Sequence, residues 1–207
     1  MKKLFVVVSI LALSACGSSK KKADPSSSSG NGSSIEQRVA DFMKLNEEMK
    51  FEEIMEYIYP KVFTIEPKEE LLKAMKEGFD SDEVKIDIDS MKVDKIHPVF
   101  EMDNASYAKI DFSMQMQMDF TNSQDSAASA DTEQSEFMRK TMAAQYGEEN
   151  VSVDEATGNL IIRVSSIMVA VKEKSDKDWY FVNLKAEDPM MTKIFSKEVI
   201  DKIGTYK

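Results

Sequence analysis

The chain has 207 residues, with 37 acidic and 27 basic side chains and a formal net charge of −10. One cysteine excludes a disulfide framework and a CxxC redox or zinc site, and one histidine excludes HExxH and multi-histidine metal centres. The acidic balance lacks the basic footprint of a nucleic-acid binder, and the 42% hydrophobic content is ordinary for a folded domain.

Lys2 and Lys3 precede an apolar run from Leu4 to Leu13. Ten residues is about half of what a membrane-spanning helix needs. The length and flanks are those of a signal-peptide core. The run ends in Leu13-Ser14-Ala15-Cys16, which resembles the lipobox of bacterial lipoproteins. The resemblance implies removal of residues 1–15 and acylation of Cys16. The mature chain would then have 192 residues and, without Lys2 and Lys3, a charge of −12. Two or three acyl chains, at about 0.8 kcal/mol per buried methylene, give a lasting bilayer anchor. Residues 16–34 continue as a Ser/Gly/Lys linker with no core-forming residues (GSSKKKADPSSSSGNGSS after Cys16). Lys20, Lys21 and Lys22 are placed to meet anionic headgroups. Gly17 stands where an aspartate would retain a lipoprotein at the inner membrane, so the resemblance implies the outer membrane, on either face.

Residues 35–207 are expected to form one domain. Ser34 and Gln37 have the spacing of a capping box, ahead of a helical stripe of Ile35, Val39, Phe42, Met43 and Leu45. A second helix is expected over Phe51–Tyr59, stopped by Pro60. A third is expected to begin at Pro67, with Leu71, Leu72 and Met75 on its apolar face and Gly78 as its C-terminal cap. From Val84 the apolar period falls to two. Val84, Ile86 and Ile88 open a strand. Residues 91–100 extend the sheet until Pro98 weakens it, and Asp103-Asn104 forms a turn. Ser106–Phe120 is the clearest strand. Ile110, Phe112, Met114, Met116, Met118 and Phe120 share one face, and Lys109, Asp111, Ser113, Gln115, Gln117 and Asp119 share the other. An inserted loop and helix occupy about 121–147. Strands at 151–153, 160–171 and 179–185 follow, and an amphipathic helix closes the chain over 190–203 with Ile194, Phe195, Val199, Ile200 and Ile203 on its apolar side. This order predicts an α+β domain with its helices segregated to one face of a mostly antiparallel sheet.

The run Phe51–Phe63 (FEEIMEYIYPKVF), followed by Pro67–Leu72 (PKEELL) and by Trp179–Leu184 (WYFVNL) near the end, resembles the NTF2-like domains of bacterial lipoproteins. That resemblance implies N-terminal helices packed on a strongly curved sheet, forming a cone with an apolar pocket. Lining such a pocket would be Phe112, Met114, Met116, Val164 and Phe181. The 121–147 segment is longer than the simplest pattern of that family. The fold admits isomerases, dehydratases and ligand-free modules alike, so activity has to come from the site.

Sequence chemistry is sparse. Met114, Met116 and Met118 form an MxMxM that could gather soft ligands for Cu(I), yet alternate positions on a buried face must be apolar, and core packing is the expectation. His97, beside Pro98, is expected at a surface or strand edge. With Asp111 it is the candidate acid–base residue, and Tyr107 or Tyr57 could partner Asp111. Alternating charge makes a solvated position the default for Asp111. Asp80, Asp82 and Glu83 lack the later glycine and glutamate of a calcium loop. No metal, cofactor or nucleic acid is expected. The sequence points to a lipid-anchored, non-catalytic binding module of the cell envelope, for an apolar ligand or an envelope protein, with a homodimer possible. The alternative is an isomerase or dehydratase on the same scaffold.

Overall fold

A computed structural model describes residues 32–81, 84–119, 132–184 and 190–206. Cys16 and most of the expected linker, Asp82 and Glu83, and residues 120–131, where the end of a strand and an inserted loop are expected, lie outside the described residues. No helix among the described residues is long and apolar enough to cross a membrane.

The described residues form an α+β fold, with six α-helices and a six-stranded antiparallel sheet that does not close among them. The helices are α1 (Ile35–Glu47), α2 (Phe51–Ile54), α3 (Lys68–Phe79), α4 (Thr132–Tyr146), α5 (Met191–Ile194) and α6 (Lys197–Gly204). The strands are β1 (Lys85–Ile96), β2 (Phe100–Met102), β3 (Ala105–Asp119), β4 (Val151–Val153), β5 (Leu160–Glu173) and β6 (Tyr180–Leu184). β3 and β5 form the centre. β1 and β2 share one flank of β3, and β4 and β6 share the outer flank of β5.

Ser34 caps α1, accepting from Gln37 N at 3.2 Å, a contact worth about 1 kcal/mol. The expected reciprocal bond is absent, because Gln37 Nε2 instead donates to Asp41 at 2.8 Å. The second helix is shorter than expected. After Ile54 the chain opens to pair with β6: Phe181 N donates to Tyr57 O at 2.7 Å and Tyr59 N to Phe181 O at 3.1 Å. Edge pairing thus takes the backbone groups that a longer helix would have used. Pro60 starts a 3₁₀ turn over Pro60–Thr64 instead of only ending a helix. Pro67 is the N-cap of α3, and Gly78 lies inside that helix, which is capped by Asp80. The closing helix is two helices, because Ser196 breaks it and caps α6.

β1 explains an uneven spacing in its sequence. Ile86, Ile88, Met91, Val93 and Ile96 all face Met118, Met116, Met114, Phe112 and Ile110 across the ladder. Irregularities between Ile88 and Ser90 and between Val93 and Lys95 each insert one residue. Each bulge turns a step of two into a step of three while keeping the apolar residues on one face, and it bends the strand. Asp103 and Asn104 have φ of 49° and 63°, so the β2–β3 hairpin turns on two left-handed residues of the type that tolerate this backbone.

The helices do not stay on one face. Ala108, Ile110 and Phe112 of β3, Met168 and Ala170 of β5, and Phe181 of β6 pack with α1 and α2. Their alternates Ala105, Tyr107, Val169, Val171 and Val182 pack with α5 and α6. Alternate strand residues point to opposite faces, so α5 and α6 cover the back of the sheet, contrary to the expected segregation. A further cluster on the α1 side joins Ile86, Ile88, Met116, Met118, Leu160, Ile162 and Val164 to Ala143 and Tyr146 of α4. Burial there pushes the Tyr146 hydroxyl up to about 12.

Candidate functional site

β1 keeps its contact with β3 through His97, whose N–H donates to Lys109 O at 2.9 Å. Pro98 carries no N–H to continue the ladder. This halt holds the imidazole inward. His97 is 3% exposed, which corrects the expectation of a surface histidine, while its place just after the end of β1, an edge strand, agrees with the expectation of an edge position. Its Nε2 lies 2.7 Å from Asp111 Oδ2. The two residues singled out from sequence are therefore in direct contact, 14 positions apart.

The pair lies on the back of the sheet, the face away from Phe112 and Met116. Lys109 Nζ is 3.1 Å from Asp111 Oδ1, an ion pair whose direction is poor for a hydrogen bond. The same ammonium donates to Tyr206 O at 3.0 Å. The Tyr206 ring lies 5.2 Å from the His97 ring and 6.1 Å from Phe100, with Lys202 5.2 Å above it. The C-terminal end thus closes over the histidine. Asp111 is 28% exposed at its side chain, not freely solvated as its alternating neighbours imply. Burial is the largest single influence on its carboxyl and raises the pKa. The hydrogen bond to His97 and the ion pair with Lys109 together outweigh it and leave the group below its ordinary value.

Neither expected tyrosine joins the pair. Tyr57 belongs to the α1 side and carries the Arg38 guanidinium 3.6 Å from its ring centre. Tyr107 shares a face with Asp111, but its ring stacks on Phe100 at 5.5 Å and meets Phe195 edge-on at 6.0 Å. A second polar contact, not anticipated from sequence, joins β5 to the segment after α2. Tyr59 Oη donates to Glu173 Oε1 at 2.5 Å, and Lys61 Nζ is 3.2 Å from the same oxygen. Burial, then the carboxylate, raises the Tyr59 hydroxyl well above its ordinary range. The bond from Tyr59, then that from Lys61, lowers Glu173. The only cue in the sequence is a tyrosine before Pro60, which does not name its partner.

The five proposed pocket residues are not gathered around one space. Phe112 and Phe181 belong to the cluster under α1 and α2, where Phe181 lies 5.0 Å from the Phe42 ring. Met116 and Val164 belong to the cluster under α4, and Met114 is half-buried between the two. Concavities do occur at the surface. One, of about 280 Å³, is lined by charged and polar residues of the β2–β3 and β5–β6 turns, including Glu101, Asp103, Lys172 and Asp176. Another, of about 390 Å³, lies along α1 and α2 between Lys44, Glu48, Lys50 and Glu53. Among the described residues no three of His, Cys, Asp and Glu converge in a way that could hold a metal ion. No protein-family model matches the chain, and no curated protein matches it as a relative.

Chemically, the His97–Asp111 contact is a closed, hydrogen-bonded clamp. General acid–base work needs the base within reach of a substrate proton. Here the imidazole is buried, its Nε2 is engaged by Asp111, and its ring is covered by Tyr206.

Proposed function

We propose that the chain is a bacterial lipoprotein, acylated at Cys16 and held in the cell envelope, at the outer membrane. Its NTF2-like domain serves as a non-catalytic accessory module for another envelope protein. The anchor rests on the LSAC motif after a short apolar run. The NTF2-like assignment is supported by N-terminal helices packed against one face of an antiparallel sheet and by a doubly bulged β1. One observation carries the non-catalytic reading: the best acid–base candidates, His97 and Asp111, are on the opposite face from the apolar residues under α1 and are sealed by the C-terminal end. Dispersal of Phe112, Met114, Met116, Val164 and Phe181 across packed clusters favours a protein partner over an apolar ligand. A charge of −12 suits a domain that stays off an anionic surface while its anchor keeps it near.

Lysine-reactive cross-linking of intact cells, followed by detergent extraction, tests this. The expected product is a discrete species containing this chain and one other envelope protein, lost when Cys16→Ser releases the chain from the membrane fraction. A monomer that instead carries a lipophilic molecule of fixed mass would overturn the partner reading. Unchanged membrane retention of the Cys16→Ser protein would overturn the anchor.

A further inference from the structure

Two packing clusters lie side by side on the α1 face of the sheet, one under α1 and α2 and one under α4. Four half-buried side chains pack against both: Met49, Phe79, Met91 and Met114. Three of the four are thioethers. Met91 and Met114 are direct cross-strand partners, a relation that brings side chains on one face to within about 4.5–5.5 Å at Cβ. Met49 comes from the end of α1, and that end is tied to the same point of β1, because Glu47 Oε1 accepts from Met91 N at 2.6 Å.

Met49 is also unusual in its backbone. Its N–H donates to Asn46 O at 3.1 Å and the next N–H, of Lys50, to Leu45 O at 2.9 Å. This is the left-handed termination that normally takes glycine or asparagine. Met49 holds φ at 55°, and every other positive φ among the described residues belongs to Gly, Asp or Asn. This turn carries the Met49 side chain into the junction of the two clusters, beside Met91 and Met114 in packing.

We infer that Met49, Met91 and Met114 form a binding site for a soft monovalent cation, Cu(I) in particular. Thioether sulfur selects soft d¹⁰ ions over zinc, calcium or magnesium. Three neutral sulfurs suit trigonal coordination of a single positive charge, and the Glu47 carboxylate supplies a nearby negative charge without being needed as a ligand. Met49, Met91 and Met114 are half-buried, and Phe79 packs against the same two clusters. The neighbouring Met116 and Met118 are buried in the α4 cluster at 7% and 8% exposure, so the MxMxM contributes one ligand, Met114, and not three.

The test is anaerobic titration with Cu(I) of the full chain carrying Cys16→Ser, which removes a competing thiol, with the methionine methyls labelled with ¹³C. The expected result is saturation at one equivalent, with the methyl signals of Met49, Met91 and Met114 shifting and those of Met43, Met55 and Met168 fixed. Volume-conserving Met→Leu changes at each of the three are expected to weaken binding at least about tenfold, the lower end of what losing even a supporting contact of a metal site costs. Met138→Leu, in the α4 cluster, is expected to leave it unchanged. The absence of saturable shifts, or shifts confined to other methionines, would overturn the site. Leu variants that keep the wild-type methyl spectrum elsewhere show that lost binding is not lost folding.

Discussion

Replacing Phe181 with alanine is expected to destabilise the domain by about 3–5 kcal/mol, the range for removing a large buried aromatic ring. Phe181 is 2% exposed, and its ring lies 5.0 Å from that of Phe42. Its own N–H and C=O hold Tyr57 and Tyr59 against β6. The cavity would therefore open where α1, the segment after α2 and the sheet edge meet. Such a cost is a large part of the about 5–15 kcal/mol that stabilises a typical domain. Urea unfolding followed by the fluorescence of Trp179 reads it, since this lone tryptophan lies in the same cluster. Val153→Ala, at a position 40% exposed, is the control and should change stability by no more than about 0.5 kcal/mol. A Phe181→Ala loss below about 1 kcal/mol would contradict the packing described here.

Asp111→Ala is expected to cost about 1.5–3 kcal/mol at neutral pH, the scale of a hydrogen bond to a charged group. The change leaves His97 buried and Lys109 without its carboxylate. Asp111→Asn keeps the shape and tests the charge. Folding holds the Asp111 carboxyl below its ordinary 3.8, so its contribution is fully present above the unfolded value and fades as pH falls through the folded one. The stability gap between wild type and Asp111→Asn should therefore narrow on going from about pH 6 to about pH 3. A gap that widens as the pH falls would contradict the clamp.

Sequence periodicity located the strands well, because each half-buried strand alternates. In β3 it correctly placed Ile110, Phe112, Met116 and Met118 on one buried face. It failed where burial is two-sided. Met168, Val169, Ala170 and Val171 are all fully buried, and an unbroken apolar run of this kind signals cover on both faces. That run was the cue that α5 and α6 sit behind the sheet. The steps of two and three from Ile86 to Ile96 likewise encode the bulges, and they bring Met91, which no motif singled out, into register with Met114.

The candidate site was legible only as residue types. His97 and Asp111 stood out as the lone histidine and an acid on a polar strand face. Their contact depends on how Pro98 ends the ladder and on where the C-terminal end returns, and neither is periodic. Met49 illustrates the same limit. A methionine after a helix reads as a packing residue until its φ of 55° and its place between two clusters are known.

Acylation at Cys16 is tested most directly by the mass of the amino-terminal peptide of the protein extracted with detergent from membranes of the cells that make it. The expected chain begins at Cys16 and carries acyl chains on its sulfur and amine. A chain that still begins at Met1, or one that begins at Cys16 or beyond without acyl mass, would contradict the acylation.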